Sequence, residues 1–227
     1  GLMVPQIAAR ILQNDQGGRG ILLGRAVGVP PAEVVIVGAG VVGTTAAAAF
    51  AAVGAHVTVL DVDLRRLQYL QANTDVQVAT MLSTPYNLAR VSTFADVLVG
   101  AVLVPGDRSP IVVTREMVSK MRSHSVIIDM SIDEGGCVET SRPTTYASPT
   151  YLEEGVIHFC VPNIGGVLGR TGTTALFNGA YPYLEAIARL GVEEAIETTP
   201  ALRHGVNALK GKVVNLKRFG GLGGMKE

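Results

Sequence analysis

One stretch of this chain leaves very few options for how it folds. The apolar run Glu33-Val34-Val35-Ile36-Val37 passes directly into Gly38-Ala39-Gly40-Val41-Val42-Gly43, and an alanine-rich segment over 44–53 follows. A second apolar run over 56–60 then ends on Asp61, roughly 20 residues beyond the glycines. A G-x-G-x-x-G alone is weak evidence. Set between a strand and a helix, with an acid at that distance, it reads as a dinucleotide-binding unit. Gly38 permits the tight turn, Gly40 leaves the backbone bare for a pyrophosphate, and Gly43 lets helix and strand pack closely. The helix start at Val41 and Val42 offers unpaired N–H groups and partial positive charge to the phosphates. Asp61 can accept both hydroxyls of an adenosine ribose and would repel the extra phosphate of NADP, so NAD is the expected cofactor. Val62 and Arg66 flank it, and Arg65 and Arg66 leave NADP open.

Five further elements of strand character extend the pattern: 56–60, 76–80, 96–101, 125–130 and 156–161, each apolar and rich in β-branched residues and separated by segments of helical length. Together with 34–37 they make six strands. Runs with no polar alternation indicate strands buried on both faces, which is the state of a parallel sheet covered by helices. The expected fold is therefore α/β, a doubly wound parallel sheet of Rossmann type. Apolar residues at three- and four-residue spacing predict an amphipathic helix over 3–14, followed by a glycine-rich linker over 17–24. Helices are expected over 171–190 and 192–198. The resulting division is 1–24 for the helix and linker, 25–212 for the dinucleotide domain with its C-terminal helices, and 213–227 for a tail frayed over 219–227.

Composition excludes several classes. With 48% apolar residues in 227, the chain can bury one large core. Lys plus Arg and Asp plus Glu both total 19, so no net field draws in nucleic acid or an anionic membrane. No apolar run approaches the roughly 20 residues of a spanning helix, and no leader pattern opens the sequence. A cytoplasmic protein with Met3 as its native start is expected. Cys137 and Cys160 are too few for a disulfide framework or zinc site, and no spacing of His, Cys or acids suggests a metal.

Ligands of open parallel sheets lie across the carboxyl ends of the strands. The residues after the fourth, fifth and sixth strands should therefore line the nicotinamide end: Ala101, Val102 and Leu103; Ile132 and Asp133; Val161, Asn163 and Ile164. Asp133 could orient a substrate amine or imine or handle a proton through water, or it could be a turn residue. Asn163 could bond the nicotinamide ribose or carboxamide, or cap its loop. Arg142 could hold a substrate carboxylate in bidentate fashion, or fasten its loop to the domain. His158 lies within a strand and reads as a satisfied core histidine.

These motifs resemble alanine dehydrogenase and, more distantly, the NAD-binding component of proton-translocating transhydrogenase. The resemblance runs from about Gln16 to about Lys212. It is carried by Gln16-Gly-Gly-Arg-Gly20, Gly38 to Gly43, Pro85-Tyr-Asn87, Gly100-Ala-Val-Leu-Val-Pro-Gly106, Ile132-Asp-Glu-Gly-Gly-Cys137, Glu139-Thr-Ser-Arg-Pro-Thr-Thr145 and Pro200-Ala-Leu202. It implies that Asp133 is the active-site aspartate, Asp61 the adenosine-ribose ligand, and Leu103, Ile132 and Asn163 cofactor contacts. It also implies hydride transfer between NAD and the α-carbon of L-alanine.

Departures from that pattern narrow the expectation. The family's substrate domain supplies a lysine, a histidine and an arginine with no counterpart here. Tyr146 stands where the family usually has His, the glycine-bearing 163–170 loop replaces one normally richer in proline, and Gly172 replaces a hydroxyl residue. These changes point to a small carbonyl or imine substrate other than alanine or pyruvate, with Tyr146 paired with Asp133 as proton donor. Two further readings stay open: a split enzyme whose substrate domain is a separate subunit, and a non-catalytic NAD(H)-binding module. The N-terminal helix would serve either as an apolar docking element, or would support a homodimer or larger oligomer.

Overall fold

The computed structural model describes residues 1–214, so the expected frayed end at 219–227 lies outside the described residues. The chain divides into two compact units. One comprises Gly1–Val104 with Arg108–Ile164, the other Pro105–Asp107 with the residues from Gly165 onward.

The first unit is built on a seven-stranded sheet of β1 (Glu33–Val37), β2 (His56–Asp61), β3 (Ala79–Leu82), β4 (Val97–Gly100), β5 (Val126–Asp129), β6 (Thr150–Glu153) and β7 (Val156–Phe159). Their order is β3-β2-β1-β4-β5-β7-β6. Every pairing is parallel except that of β6 with β7. This is the expected doubly wound Rossmann arrangement, with the order reversing between β1 and β4. Residues of β1, β4 and β5 are almost wholly buried. Alternate side chains enter two separate cores: Val34, Ile36, Val97 and Ile128 in one, Val35, Val37, Leu98 and Ile127 in the other. That two-sided burial is why the strands read as unbroken apolar runs.

Helices α1 (Val4–Ile11), α2 (Val41–Ala52) and α3 (Leu64–Ala72) contribute to the first core, while α4 (Pro85–Ser92) and α5 (Arg115–Ser119) contribute to the second. The side chains of Asp63, Thr84 and Thr114 cap α3, α4 and α5 by accepting the N–H groups of Arg65, Asn87 and Met117. Helix α2 begins at Gly40 with no side-chain cap. No side chain among the described residues meets its first N–H groups.

The structure differs from the sequence reading at particular elements. The apolar stripe of α1 is not a docking face, because Val4, Ala8, Ile11 and Leu12 are buried in the chain's own core. The glycine-rich 17–24 segment is held by polar contacts. The Arg19 Nε lies 3.4 Å from the buried Asp96 carboxylate, which also takes the Arg122 guanidinium at 2.9 Å, and the ring Nδ1 of His124 bonds the Gly17 carbonyl at 2.7 Å. A seventh strand, β6, absent from the six expected, lies on the sheet edge. Thr150, Tyr151 and Glu153 are half-buried and Leu152 is exposed, and the two-residue turn Glu154-Gly155, both at positive φ, folds the strand back against β7. The third strand also starts later than expected, at Ala79, where its pairing with Thr58 of β2 begins.

The second unit holds α6 (Gly169–Leu190), α7 (Val192–Thr198), α8 (Pro200–Gly205) and the hairpin of β8 (Ala208–Leu209) with β9 (Lys212–Val213). Gly191, at φ +79°, separates α6 from α7. Lys210 reaches Glu193 at 3.3 Å and ties the hairpin to α7. Among the described residues no helix is long and apolar enough to cross a membrane.

Candidate functional site

At the carboxyl end of β1 each fingerprint glycine has a distinct steric reason. Gly38 adopts φ +107°, and a Cβ there would stand 2.3 Å from the Ala101 carbonyl oxygen. A Cβ on Gly43 would stand 1.8 Å from the Gly38 carbonyl oxygen, so α2 crosses the turn at a distance only glycine allows. Gly40 differs: nothing lies within 4 Å of its would-be Cβ. The chain reserves bare backbone at Gly40, directly before the uncapped N–H groups of Val41 and Val42. Open space, orphan donors and the positive end of a helix together suit an anion such as a pyrophosphate.

Beside this turn a cleft of about 390 Å³ opens between the ends of β1, β2 and β4. Gly38, Asp61, Val62, Arg66, Ala101, Val102 and Leu103, all expected to bind cofactor, line it together. Spacing gave no sign of Ser83, Pro110 and Val112, which also line it. Asp61 is 5% exposed; its carboxylate accepts the Ala39 N–H at 2.7 Å and the Asp63 N–H at 2.8 Å. One acid thus braces the glycine turn and faces the cleft. Arg66 stands 3.8 Å from it, whereas the Arg65 guanidinium is engaged by Asp63 at 3.0 Å.

Past β5, Asp129 organises the next loop. It is 2% exposed and accepts the N–H groups of Ser131, Cys137 and Val138 at 3.0, 2.9 and 3.2 Å, closing the segment 131–138 into a ring. Ser131 in turn accepts the Val102 N–H at 3.0 Å, linking this loop to the cleft wall. The sequence reading missed Asp129, although an acid ending a wholly buried apolar run is a signal that the carboxylate has local donors.

The ring holds Ile132, which is buried, and presents Asp133, which is exposed. Asp133 accepts the backbone N–H of Asn163 at 3.0 and 3.3 Å. Tyr146 donates its hydroxyl to the carbonyl of the adjacent Ile164 at 2.5 Å, and burial pushes its phenol pKa up. Asp133 and Tyr146 are therefore joined through neighbouring residues of one loop and not to each other. Asn163 sits at φ +48°, a conformation asparagine tolerates better than most. Val161 is buried at the foot of that loop.

Arg142 is placed elsewhere. Its guanidinium carbon lies 3.9 Å from the Tyr151 ring centre and its backbone N–H bonds the Tyr151 hydroxyl at 2.9 Å, which fastens the loop to β6. His158 is fully buried, with Nδ1 bonding the Val156 carbonyl and Nε2 the Thr140 hydroxyl at 2.7 Å. Burial lowers its pKa, and it is the satisfied core histidine the sequence indicated.

Residues 4–216 match the model of the alanine dehydrogenase/PNT C-terminal domain family. The alanine dehydrogenase of Methanococcus maripaludis is 49% identical over 214 residues, which make up 94% of this chain and 57% of that protein. That of Halomonas elongata is 43% identical over 213 residues, with the same shares. A solved L-alanine dehydrogenase aligns with a TM-score of 0.84 at 42% identity, covering 94% of this chain and 62% of that one. A transhydrogenase from Sinorhizobium meliloti shares the fold, with a TM-score of 0.67 at 22% identity over 94% of this chain and 60% of its own. The chain spans less than two thirds of the length of these relatives. By sequence and by fold, it belongs to the alanine dehydrogenase/PNT C-terminal domain family, an NAD-binding fold.

Proposed function

We propose that this chain is the cofactor-binding part of an oxidoreductase of alanine dehydrogenase type, and that groups from outside these 227 residues complete the substrate side. The observation that carries this reading is the contrast at the glycine turn. Gly43 is needed for packing alone, while Gly40 is kept bare with nothing of the protein beside it. NAD, when bound, supplies a carbon that accepts or gives up a hydride.

The chain's own residues bind and orient. Val41 and Val42 direct their N–H groups outward from the helix start, Asp61 offers carboxylate acceptors within the cleft, and Val102 and Leu103 add apolar wall. Asp133 remains exposed and could hold or orient a proton-bearing substrate group, while sharing its oxygens with the Asn163 N–H. The histidines and the lysine of the sheet unit are engaged elsewhere. His56 pairs with Glu33, His124 with the Gly17 carbonyl, His158 with Thr140, and Lys120 with Glu116. Carbonyl polarisation therefore falls to a substrate lobe, on the same polypeptide or another.

The sequence alone pointed away from alanine. Relatives 42–49% identical that are named alanine dehydrogenase do not support that preference, and alanine with pyruvate and ammonia is the pair to test first. The experiment is a fluorescence titration with NADH followed by a turnover assay with pyruvate and ammonia, with and without a relative's substrate lobe. Saturable NADH binding, with turnover that needs the added lobe and is abolished by Asp133→Ala while binding stays nearly intact, is the expected result. Absence of NADH binding would overturn the proposal. Full turnover by Asp133→Ala would remove Asp133 from the mechanism.

A further inference from the structure

We infer that Tyr146 is a positioning residue for the nicotinamide-side loop, holding in place a backbone that its own glycines leave slack, and is not a proton donor. The inference rests on the reading that Asn163 faces the nicotinamide.

Two adjacent residues of that loop are gripped from two different directions. The Asp133 carboxylate takes the Asn163 N–H, and the Tyr146 hydroxyl is given to the Ile164 carbonyl. The phenol ring has a seat of its own. It lines a pocket with Ile7 and Ile11 of α1 and with Pro149 and Phe159, while 43% of the residue stays exposed. A phenol carries one proton, and this one is committed to a carbonyl. A phenol is protonated at neutral pH without any shift.

Immediately after the gripped pair come Gly165 and Gly166. Gly165 is not at positive φ, and nothing lies within 4 Å of its would-be Cβ. Neither backbone conformation nor crowding calls for glycine there. Residues Ile164–Val167 form a single 3-10 turn, closed by the Leu168 N–H on the Gly165 carbonyl at 2.9 Å. Because glycine carries the greatest backbone freedom of any residue, the start of that turn is fixed from outside by the two hydrogen bonds at Asn163 and Ile164. The two features that set the sequence apart, Tyr146 and the glycine-rich loop, are the two sides of one contact.

The test uses the full chain and Tyr146→Phe, which removes the hydroxyl and keeps the ring in its seat. Amide hydrogen exchange over 163–167 in the ligand-free protein should quicken about 5- to 10-fold, the scale of one net hydrogen bond. Affinity for NADH should fall by a similar factor, while affinity for ADP-ribose, which lacks the nicotinamide, stays within about twofold. Adding Gly165→Ala, which the open space admits and which trims backbone freedom, should recover part of the loss.

Unchanged exchange with an unchanged NADH to ADP-ribose ratio overturns the inference. Equal losses of NADH and ADP-ribose affinity with a lowered melting temperature also overturn it, since that pattern marks a general structural role. If the unaltered chain binds neither ligand, the functional proposal fails, and the exchange comparison alone decides the role of Tyr146.

Discussion

Substituting alanine at Gly43 and at Gly40 separates what the glycine turn does for folding from what it does for binding. At Gly43 the new methyl would lie 1.8 Å from the Gly38 carbonyl oxygen and 2.9 Å from its carbon. Both atoms are backbone, so no rotamer change relieves the overlap and α2 must move away from β1. Overpacking typically costs about 1–3 kcal/mol, and an obstacle made of backbone belongs at the upper end. For a chain of this size about 3 kcal/mol corresponds to a fall of about 6–12 °C in melting temperature.

At Gly40 nothing stands within 4 Å. Alanine is a poorer N-cap than glycine, but it also reduces the freedom of the unfolded chain, so the net stability change should stay within about 1 kcal/mol. The methyl would nevertheless occupy the approach to the helix start, and NADH affinity should fall by about tenfold or more, equivalent to about 1.4 kcal/mol. Thermal melting monitored by circular dichroism and NADH fluorescence titration read the two effects separately. If Gly43→Ala melts within about 1 °C of the unaltered chain, or if Gly40→Ala binds NADH undiminished, the division of labour argued from the geometry is wrong.

Asp61→Ser should lower the ratio of NADH to NADPH affinity by about tenfold, because it removes the carboxylate that repels a ribose phosphate; an unchanged ratio in paired titrations would refute the assignment. Asp129→Ala leaves the N–H groups of Ser131, Cys137 and Val138 without their acceptor, at about 1–3 kcal/mol for each buried donor. Urea denaturation should show a loss of about 3 kcal/mol or more, and a loss under about 1 kcal/mol would show that the ring of residues 131–138 does not need it. Burial holds the His158 pKa below its ordinary value, so the unfolded chain takes up more protons as pH falls through about 6.5 and stability should decline from there. His158→Gln should flatten that decline in urea midpoints measured between about pH 7.5 and 5.5, and an identical slope would count against His158 as the source.

The sheet was legible because burial on both faces leaves a plain record. A run such as 34–37 has no room for a polar side chain, and the acid and glycines around it stand out. Strand β6 left no such record, because an edge strand with one open face mixes Thr150, Tyr151, Leu152 and Glu153 much as a loop does. Asp129 and Asp96 escaped for another reason. Their partners, Cys137 and Val138 in one case and Arg19 and Arg122 in the other, come together through folding, and no local spacing announces them. Asp133 and Asn163 were both named from their places past strand ends, but the bond between them across 30 residues could not be read from sequence. The stripe on α1 misled because an amphipathic helix looks the same whether its apolar face meets its own sheet or another molecule.

Everything proposed for the substrate side depends on NAD occupying the crevice between Gly38 and Asp61. A titration of the chain with NADH and NADPH, repeated on Gly40→Ala, puts that to the test. Saturable one-to-one binding of NADH is expected, with weaker binding of NADPH and a weakening of both by about tenfold or more in the variant, whose stability changes by no more than about 1 kcal/mol. Binding that survives Gly40→Ala intact, or no binding by the unaltered chain, would contradict it.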